Sequence, residues 1–312
     1  MEKTQSETTS QSINNQSKQS KVDYLKYEDL APYEEKTNFL ELFRNISNNI
    51  LETPEFKWEV HFNTINELRR LRKHSKELFH SIVRDYKLCK KIFPKYINSI
   101  RSNLSKITLM LVTELFSVFE YENLNKWVTF LIPEVLNKSV DNKIFIREEA
   151  MKCLDNLSGN MFYEESIICL LNGVKSSNSK VSQNAFDTLI KLIENYDQVN
   201  LENISEWKEI FKLISEIFLL KDDRHVKKSE KILITIKEKL TDEIFEKVLK
   251  NASKNIILIL NQILNHKQLN SNKTKESLKE FKSRMKNDQT NKENIFQERV
   301  VTKEETKSLD TE

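Results

Sequence analysis

The sequence predicts an all-α fold, a solenoid of paired helices, and three observations carry that prediction. Turn-formers are scarce: 2 Gly and 4 Pro stand among 312 residues, and no proline follows Pro133. So few cannot punctuate a many-stranded sandwich or barrel. Apolar residues recur at helical spacing through the middle of the chain, and no alternating strand pattern lasts. A helical unit also repeats. Its anchors are Val60, Leu104, Ile146, Val181 and Val226, separated by 44, 42, 35 and 45 residues.

Four residues after the first four anchors stand Thr64, Thr108, Ala150 and Ala185, all small. At plus eight stand Leu68, Val112, Leu154 and Leu189, and at plus eleven Leu71, Leu115, Leu157 and Leu192. These offsets trace one helix face, and the small residue lets a neighbouring helix approach closely. A period near 40 residues with two helices per unit fits HEAT-like repeats. The fifth unit departs, with Glu230 at plus four and Lys237 at plus eleven, as a terminal repeat facing water would.

The elements follow in order. Residues 1–36 are rich in Gln, Ser, Thr, Asn and Lys and almost without apolar content before Tyr24, so a disordered N-terminal tail is expected. The repeat domain spans 37–267. Its helix pairs are expected near 38–50 with 58–72, 85–100 with 104–119, 122–138 with 143–157, 161–175 with 180–195, and 204–220 with 225–239. A sixth pair joins 242–250 to 254–266. Pro94 predicts a kink or a helix start, Asn203 with Glu206 a capping box, and Thr241 and Ser253 N-caps. Trp127 and Trp207 lie in apolar patterns and are expected in the core. Residues 268–312 form a mixed-charge, disordered C-terminal tail.

Composition narrows function. Lys+Arg is 50 and Asp+Glu 47, a formal charge of +3, which is too even for a dedicated nucleic-acid binder. Neither Gly159 nor Gly173 can complete a glycine-rich phosphate loop. The 3 cysteines form no CxxC pair, and no histidines take metal-ligand spacing. No nucleophile-elbow or kinase motif appears. The chain is therefore expected to be no enzyme and to use no cofactor or metal. Met1-Glu2-Lys3-Thr4-Gln5 lacks the apolar core of a secretory leader, and the runs Ile107–Val112 and Ile256–Leu260 are too short to span a bilayer. No membrane partner and no nucleic acid are expected.

The turns inside each pair carry the functional signal. They read Phe56-Lys57-Trp58, then Arg101 through Lys106, Ser139 through Arg147, Ser176 through Lys180, and Lys221 through Lys228. In a stack of helix pairs, equivalent turns line up on one edge. Every turn from the second onward carries Lys or Arg, and the first carries an aromatic. The expected result is a basic ribbon headed by a tryptophan, suited to an acidic protein surface. From the residues alone, Trp58 is equally an exposed anchor or a core residue covering the solenoid's end.

Trp58-Glu59-Val60 followed by Ile65-Asn66-Glu67-Leu68-Arg69-Arg70-Leu71 resembles the opening of a TOG domain. Asp141-Asn142-Lys143-Ile144-Phe145-Ile146-Arg147-Glu148-Glu149-Ala150 resembles its third repeat. Both are most similar to the CLASP and crescerin families, the second to the ciliary crescerin group (TOG array regulator of axonemal microtubules). The resemblance covers about residues 38–266. It implies a TOG-like paddle of six helix pairs that binds αβ-tubulin or the microtubule lattice along its turns. It assigns tubulin binding to Trp58 in the first turn, Ser102 and Lys106 in the second, and Asn142, Lys143 and Arg147 in the third. Lys180 would serve the fourth, and Arg224 with Lys227 the fifth. Ser179 and Ser182 stand where a second basic residue could be expected. Family members that speed microtubule growth carry several such domains, whereas this chain has room for one, which favours binding, stabilising or tethering. The implied setting is cytoplasm and cytoskeleton, with cilium or axoneme, and further axonemal or cytoskeletal proteins as partners of the tails. A HEAT-repeat scaffold for a non-tubulin partner is the alternative the residues leave open.

Overall fold

The computed structural model of the chain describes residues 24–117, 124–160, 164–196 and 201–265. Residues 1–23 and 266–312, which hold most of the expected tails, lie outside the described residues. The helices are α1 (Phe39–Glu52), α2 (Trp58–His74), α3 (Lys76–Val83), α4 (Tyr86–Ile97), α5 (Ser102–Phe116) and α6 (Leu124–Lys138). They continue as α7 (Ile144–Asn160), α8 (Glu164–Val174), α9 (Ser179–Asn195), α10 (Trp207–Leu219), α11 (Asp223–Lys239) and α12 (Asp242–Leu249). A last helix, α13, runs over 254–265. No strand occurs among the described residues. The described residues are all-α, as the scarcity of turn-formers predicts.

Helices of a pair are antiparallel, and pairs stack into two layers. The second helices α2, α5, α7, α9 and α11 each pack on the next, and α4, α6, α8, α10 and α12 do the same in the other layer. The short α3 was not expected. It fills the first layer between α1 and α4, burying Phe79, Ile82 and Val83. Trp127 and Trp207 are core residues. Pro94 and Pro133 sit inside α4 and α6 rather than at their starts. Thr241 caps α12 by accepting from the Ile244 amide, and Ser253 accepts from Ile256. The expected Asn203–Glu206 capping box does not form. Glu206 precedes α10 without a side-chain cap, and the amides of Ser205 and Glu206 instead bond the Glu164 carboxylate of α8, both at 2.9 Å.

The repeat stripe is the core seam. Thr64, Thr108, Ala150 and Ala185 are buried, and so are all the leucines and the valine at plus eight and plus eleven. Thr64 and Thr108 turn their hydroxyls back onto the carbonyls four residues earlier, at 2.8 and 2.7 Å. The fifth unit corrects the expectation of an atypical end. Its buried residues include Ser229, Leu233 and Ile236, which are plus four, plus eight and plus eleven from His225, not from Val226. The unit is regular but one residue earlier, and a histidine holds the anchor position. Gly173 of α8 marks the closest crossing: a Cβ there would lie 2.6 Å from Leu136 Cδ1 and 2.8 Å from Ala185 Cβ.

The N-terminal boundary moves. Residues 24–38, mostly assigned to the disordered tail by their polarity, form an irregular strap along α2, with turns at 27–29 and 35–36. Leu30 is buried, and basic side chains of α2 grip the strap's carbonyls. Arg69 donates to Leu25 O at 3.0 Å, Arg70 to Ala31 O and Pro32 O at 2.8 and 2.7 Å, and Lys73 to Glu28 O and Leu30 O at 2.6 and 2.9 Å. Hydrogen bonding to charged donors orders a segment whose own apolar content could not. Beneath it lies a buried Arg69–Glu114 pair at 2.6 Å joining α2 to α5. Burial pushes the Glu114 carboxyl up, and the Arg69 hydrogen bond and charge oppose that rise.

Candidate tubulin-facing ridge

The five intra-repeat turns lie along one edge, where neighbouring turns are bridged by side chains or line a shared groove. Tyr24 links the first and second: its ring lies edge-on to Phe62 of α2 at 5.9 Å, and its hydroxyl donates to Asn103 Oδ1 of α5 at 2.5 Å. Lys143 Nζ of the third turn donates to Ser102 Oγ of the second at 3.0 Å. The third and fourth border a groove of 980 Å³ lined by Asp141, Asn142, Arg147 and Lys180. The fourth and fifth enclose a cavity of 180 Å³ lined by Ser177, Ser179, Arg224 and His225.

The first turn is braced from below by His61 of α2. Its Nε2 lies 3.2 Å from Pro54 O and its Nδ1 2.6 Å from the Tyr96 hydroxyl. A carbonyl only accepts, so Nε2 carries the proton and Nδ1 accepts from Tyr96. That is the neutral ring, and burial pushes the histidine below its ordinary value. Lys95 of α4 adds an ion pair to Glu55 at 2.7 Å.

Trp58 is the first residue of α2. It is half-buried, with its ring edge-on to Phe62 at 6.5 Å. It is neither a core residue nor a free-standing one: the inner part packs and the rest faces out.

The cations fall into two kinds. Lys106 and Arg147 are half-buried and held by the protein itself. Lys106 Nζ lies over the Tyr24 ring at 4.2 Å and near the Phe145 ring at 5.8 Å. Arg147 Nη1 donates to Asp141 O and Asn142 O at 2.8 and 3.0 Å, so it builds the third turn. Asn142, Lys143, Lys180, Arg224 and Lys227 are exposed. Arg224 binds Asp222 through three contacts of 2.6 to 3.2 Å, which holds the Asp222 carboxyl down to about 2. Asp222 also caps α11 through the Arg224 amide.

Ser179 and Ser182 differ from each other. Ser179 is exposed, whereas Ser182 is buried, its hydroxyl donating to Val174 O and accepting from Lys228 Nζ at 2.8 Å. Lys228, from the next repeat, thus supplies a cation behind the fourth turn, with burial lowering its pKa.

Sequence reasoning missed the apolar tips between the cations. Phe56 is 78% exposed in the first turn and Ile100 90% exposed in the second. Ile144 and Phe145 project beside the third, and Leu219 and Leu220 beside the fifth. Their signal was their position: each sits in or next to a turn, off its helix's buried stripe. The ridge is therefore mixed, with apolar knobs between charges, rather than purely basic.

Among the described residues no three His, Cys, Asp or Glu side chains gather as metal ligands, and no helix is long and apolar enough to cross a membrane. The cysteines are unpaired thiols, and burial pushes Cys89 up to about 12 and Cys169 to about 11, far from a reactive thiolate.

A family model described as CLASP N terminal matches residues 39–178. That segment holds the first three helix pairs, with Trp58 and the third-repeat motif. No curated protein matches the chain. Among solved structures the chain is similar to a microtubule polymerase with TOG domain arrays, described for tubulin recruitment and assembly, at 14% identity and a TM-score of 0.45. The alignment covers 70% of this chain and 45% of that one, so this chain spans less than half the polymerase chain's length. It is also similar to the MAST/Orbit N-terminal domain, at 14% identity and a TM-score of 0.40 over 72% and 96% of the two chains. A structure described for TOG–tubulin binding specificity shares 16% identity at a TM-score of 0.43 over 76% and 90%. The matched segment and the motifs within it agree: residues 39–178, somewhat less than half of the chain, are similar to the CLASP N-terminal family.

Proposed function

We propose that this chain is a non-enzymatic tubulin-binding protein whose contact surface is the ridge of intra-repeat turns. The observation that carries the reading is the succession of turns bridged or grooved together along one edge, headed by a half-buried indole and followed by exposed cations. An aromatic anchored at its base and open at its face gives contact area at little ordering cost. Exposed lysines and arginines around it steer and orient an acidic partner. Tubulin is the acidic partner that the similarity of residues 39–178 to this family points to. The proposed contacts are Trp58, Lys106, Lys143, Lys180, Arg224 and Lys227, with Ser102, Asn142 and Arg147 shaping the turns between them. The resemblance of the third-repeat motif to the crescerin group further suggests a ciliary or axonemal setting, read by where a fluorescent fusion accumulates.

Size-exclusion of the full chain with purified tubulin tests the binding. The wild type is expected to co-elute, and Trp58→Glu and Lys143→Glu to elute apart from tubulin while keeping the wild-type melting temperature. Equal co-elution by all three would remove the ridge as the binding face.

A further inference from the structure

We propose that the strap at residues 24–38 is a working part of the ridge, and that Tyr24 is a positioning residue that holds Lys106 ready for the partner's carboxylates. The proposal rests on the tubulin reading above and adds a segment that no turn of a repeat supplies.

The strap is fixed with more hydrogen bonds than a passive linker needs. Besides the grips of Arg69, Arg70 and Lys73, His74 Nε2 meets Leu30 O at 2.7 Å. The Tyr33 hydroxyl donates to Glu67 at 3.0 Å, and Arg70 stacks over the Tyr33 ring at 4.0 Å. Leu25 meets Arg69 midway along α2, and residues 28–30 meet its last turn at Lys73 and His74. The path then doubles back past Arg70 and Glu67 to α1. This route leaves Tyr24 at the ridge end of the strap, between the starts of α2 and α5.

There Tyr24 completes a row. Trp58 touches Phe62, Phe62 touches Tyr24, and Tyr24 carries the Lys106 ammonium, which in turn faces Phe145. The row runs from the first turn to the third, and Tyr24 is the member that the helices do not provide. A lysine on four rotatable bonds loses much freedom when it binds. Held over a ring face, Lys106 has already lost it, while the rest of the ammonium stays available to an acceptor. The occupant that fits is an acidic protein surface with apolar inlets, as the ridge's alternation of Ile100 and Phe145 with Lys106 and Lys143 requires. In the proposed function that surface is tubulin.

The test measures tubulin affinity of the full chain by fluorescence titration at fixed salt. The variants are Tyr24→Ala, Tyr24→Phe and the strap-releasing pair Arg70→Ala with Lys73→Ala, with Trp58→Glu as reference. Tyr24→Ala is expected to weaken binding about threefold to tenfold, from the loss of one cation–aromatic contact and its ordering. Tyr24→Phe keeps the ring and loses only the Asn103 bond, so it should stay within about twofold of wild type. The strap-releasing pair touches no ridge residue and should fall as far as Tyr24→Ala. Wild-type or tighter binding by Tyr24→Ala and the pair, with binding still lost in Trp58→Glu, would overturn the strap's role and leave the ridge standing. Tighter binding would mean that the strap covers Lys106 instead of presenting it. No binding by the wild type would overturn both.

Discussion

The two ends of the ridge are built differently. From the first turn to the third, the outward groups are rings and apolar tips on a fixed base: Trp58, Phe56, Tyr24, Ile100 and Phe145, with Lys106 held among them. From the fourth to the fifth they are mainly cations and hydroxyls, Lys180, Arg224, Lys227, Ser177 and Ser179, around a polar cavity of 180 Å³, with Leu219 and Leu220 the apolar exceptions. Apolar, half-buried groups govern how slowly a complex parts, whereas exposed charges govern how fast and in what orientation it forms. On the proposed function one ridge divides the labour, the early repeats anchoring the partner and the later ones steering it. The interior follows the same division. The early repeats are tied by a buried ion pair under a strap, the later ones by close helix contact at Gly173 and Ala185.

Breaking the two interiors comes first, because the expected effects are largest. Arg69→Ala leaves Glu114 buried without its partner and releases Leu25, and removing one member of such a pair costs about 3 to 5 kcal/mol. Urea unfolding should report that loss, and a change under about 1 kcal/mol would mean that the pair is hydrated. Gly173→Ala drives a methyl into Leu136 and Ala185, and overpacking of this kind costs about 1 to 3 kcal/mol. An unchanged melting temperature would show that α6, α8 and α9 have room to move apart.

Smaller effects sharpen the division along the ridge. Lys180→Ala with Arg224→Ala should lower the tubulin association rate at low salt, and the difference should shrink as salt screens exposed charges beyond about 10 Å at 0.1 M. An equal deficit at all salt concentrations would place these residues in the anchoring half. The first turn has a pH signature of its own. His61 is neutral in the fold, with its pKa pushed below the ordinary 6.5 by burial. The unfolded chain therefore binds a proton first, so stability from this site is full above pH 6.5 and declines as pH falls below it. His61→Gln should remove that decline from the melting curve, and a decline unchanged in the variant would point to another group.

Much of this was legible in the sequence, for physical reasons. A core stripe repeats because every pair must bury the same face, so the anchors and the small plus-four residues announced four of the second helices, and an anchor one residue out of register the fifth. The slip by one residue at the fifth unit has a simple cause: His225 stands at the anchor, and Val226 beside it offered a better apolar match. The strap was illegible because polarity argued for disorder. Its order comes from carbonyls gripped by Arg69, Arg70 and Lys73, and backbone acceptors leave no mark in composition. The short α3 escaped for a related reason: eight residues make too little periodicity to separate from a helix end. The cations of the ridge were readable as residue types, but not their division into held and free. That division depends on what lies opposite each side chain, as Tyr24 does for Lys106 and Asp222 for Arg224.

The ridge itself is tested most directly by hydrogen–deuterium exchange of the full chain with and without tubulin. Protection is expected in the peptides covering turns 53–57, 98–101, 139–143, 175–178 and 220–222, and along the strap at Tyr24. The connections at the opposite edge, such as 75 and 240–241, should exchange as in the free chain. Protection confined to that opposite edge, or spread evenly over both, would contradict the assignment of the turns as the contact surface.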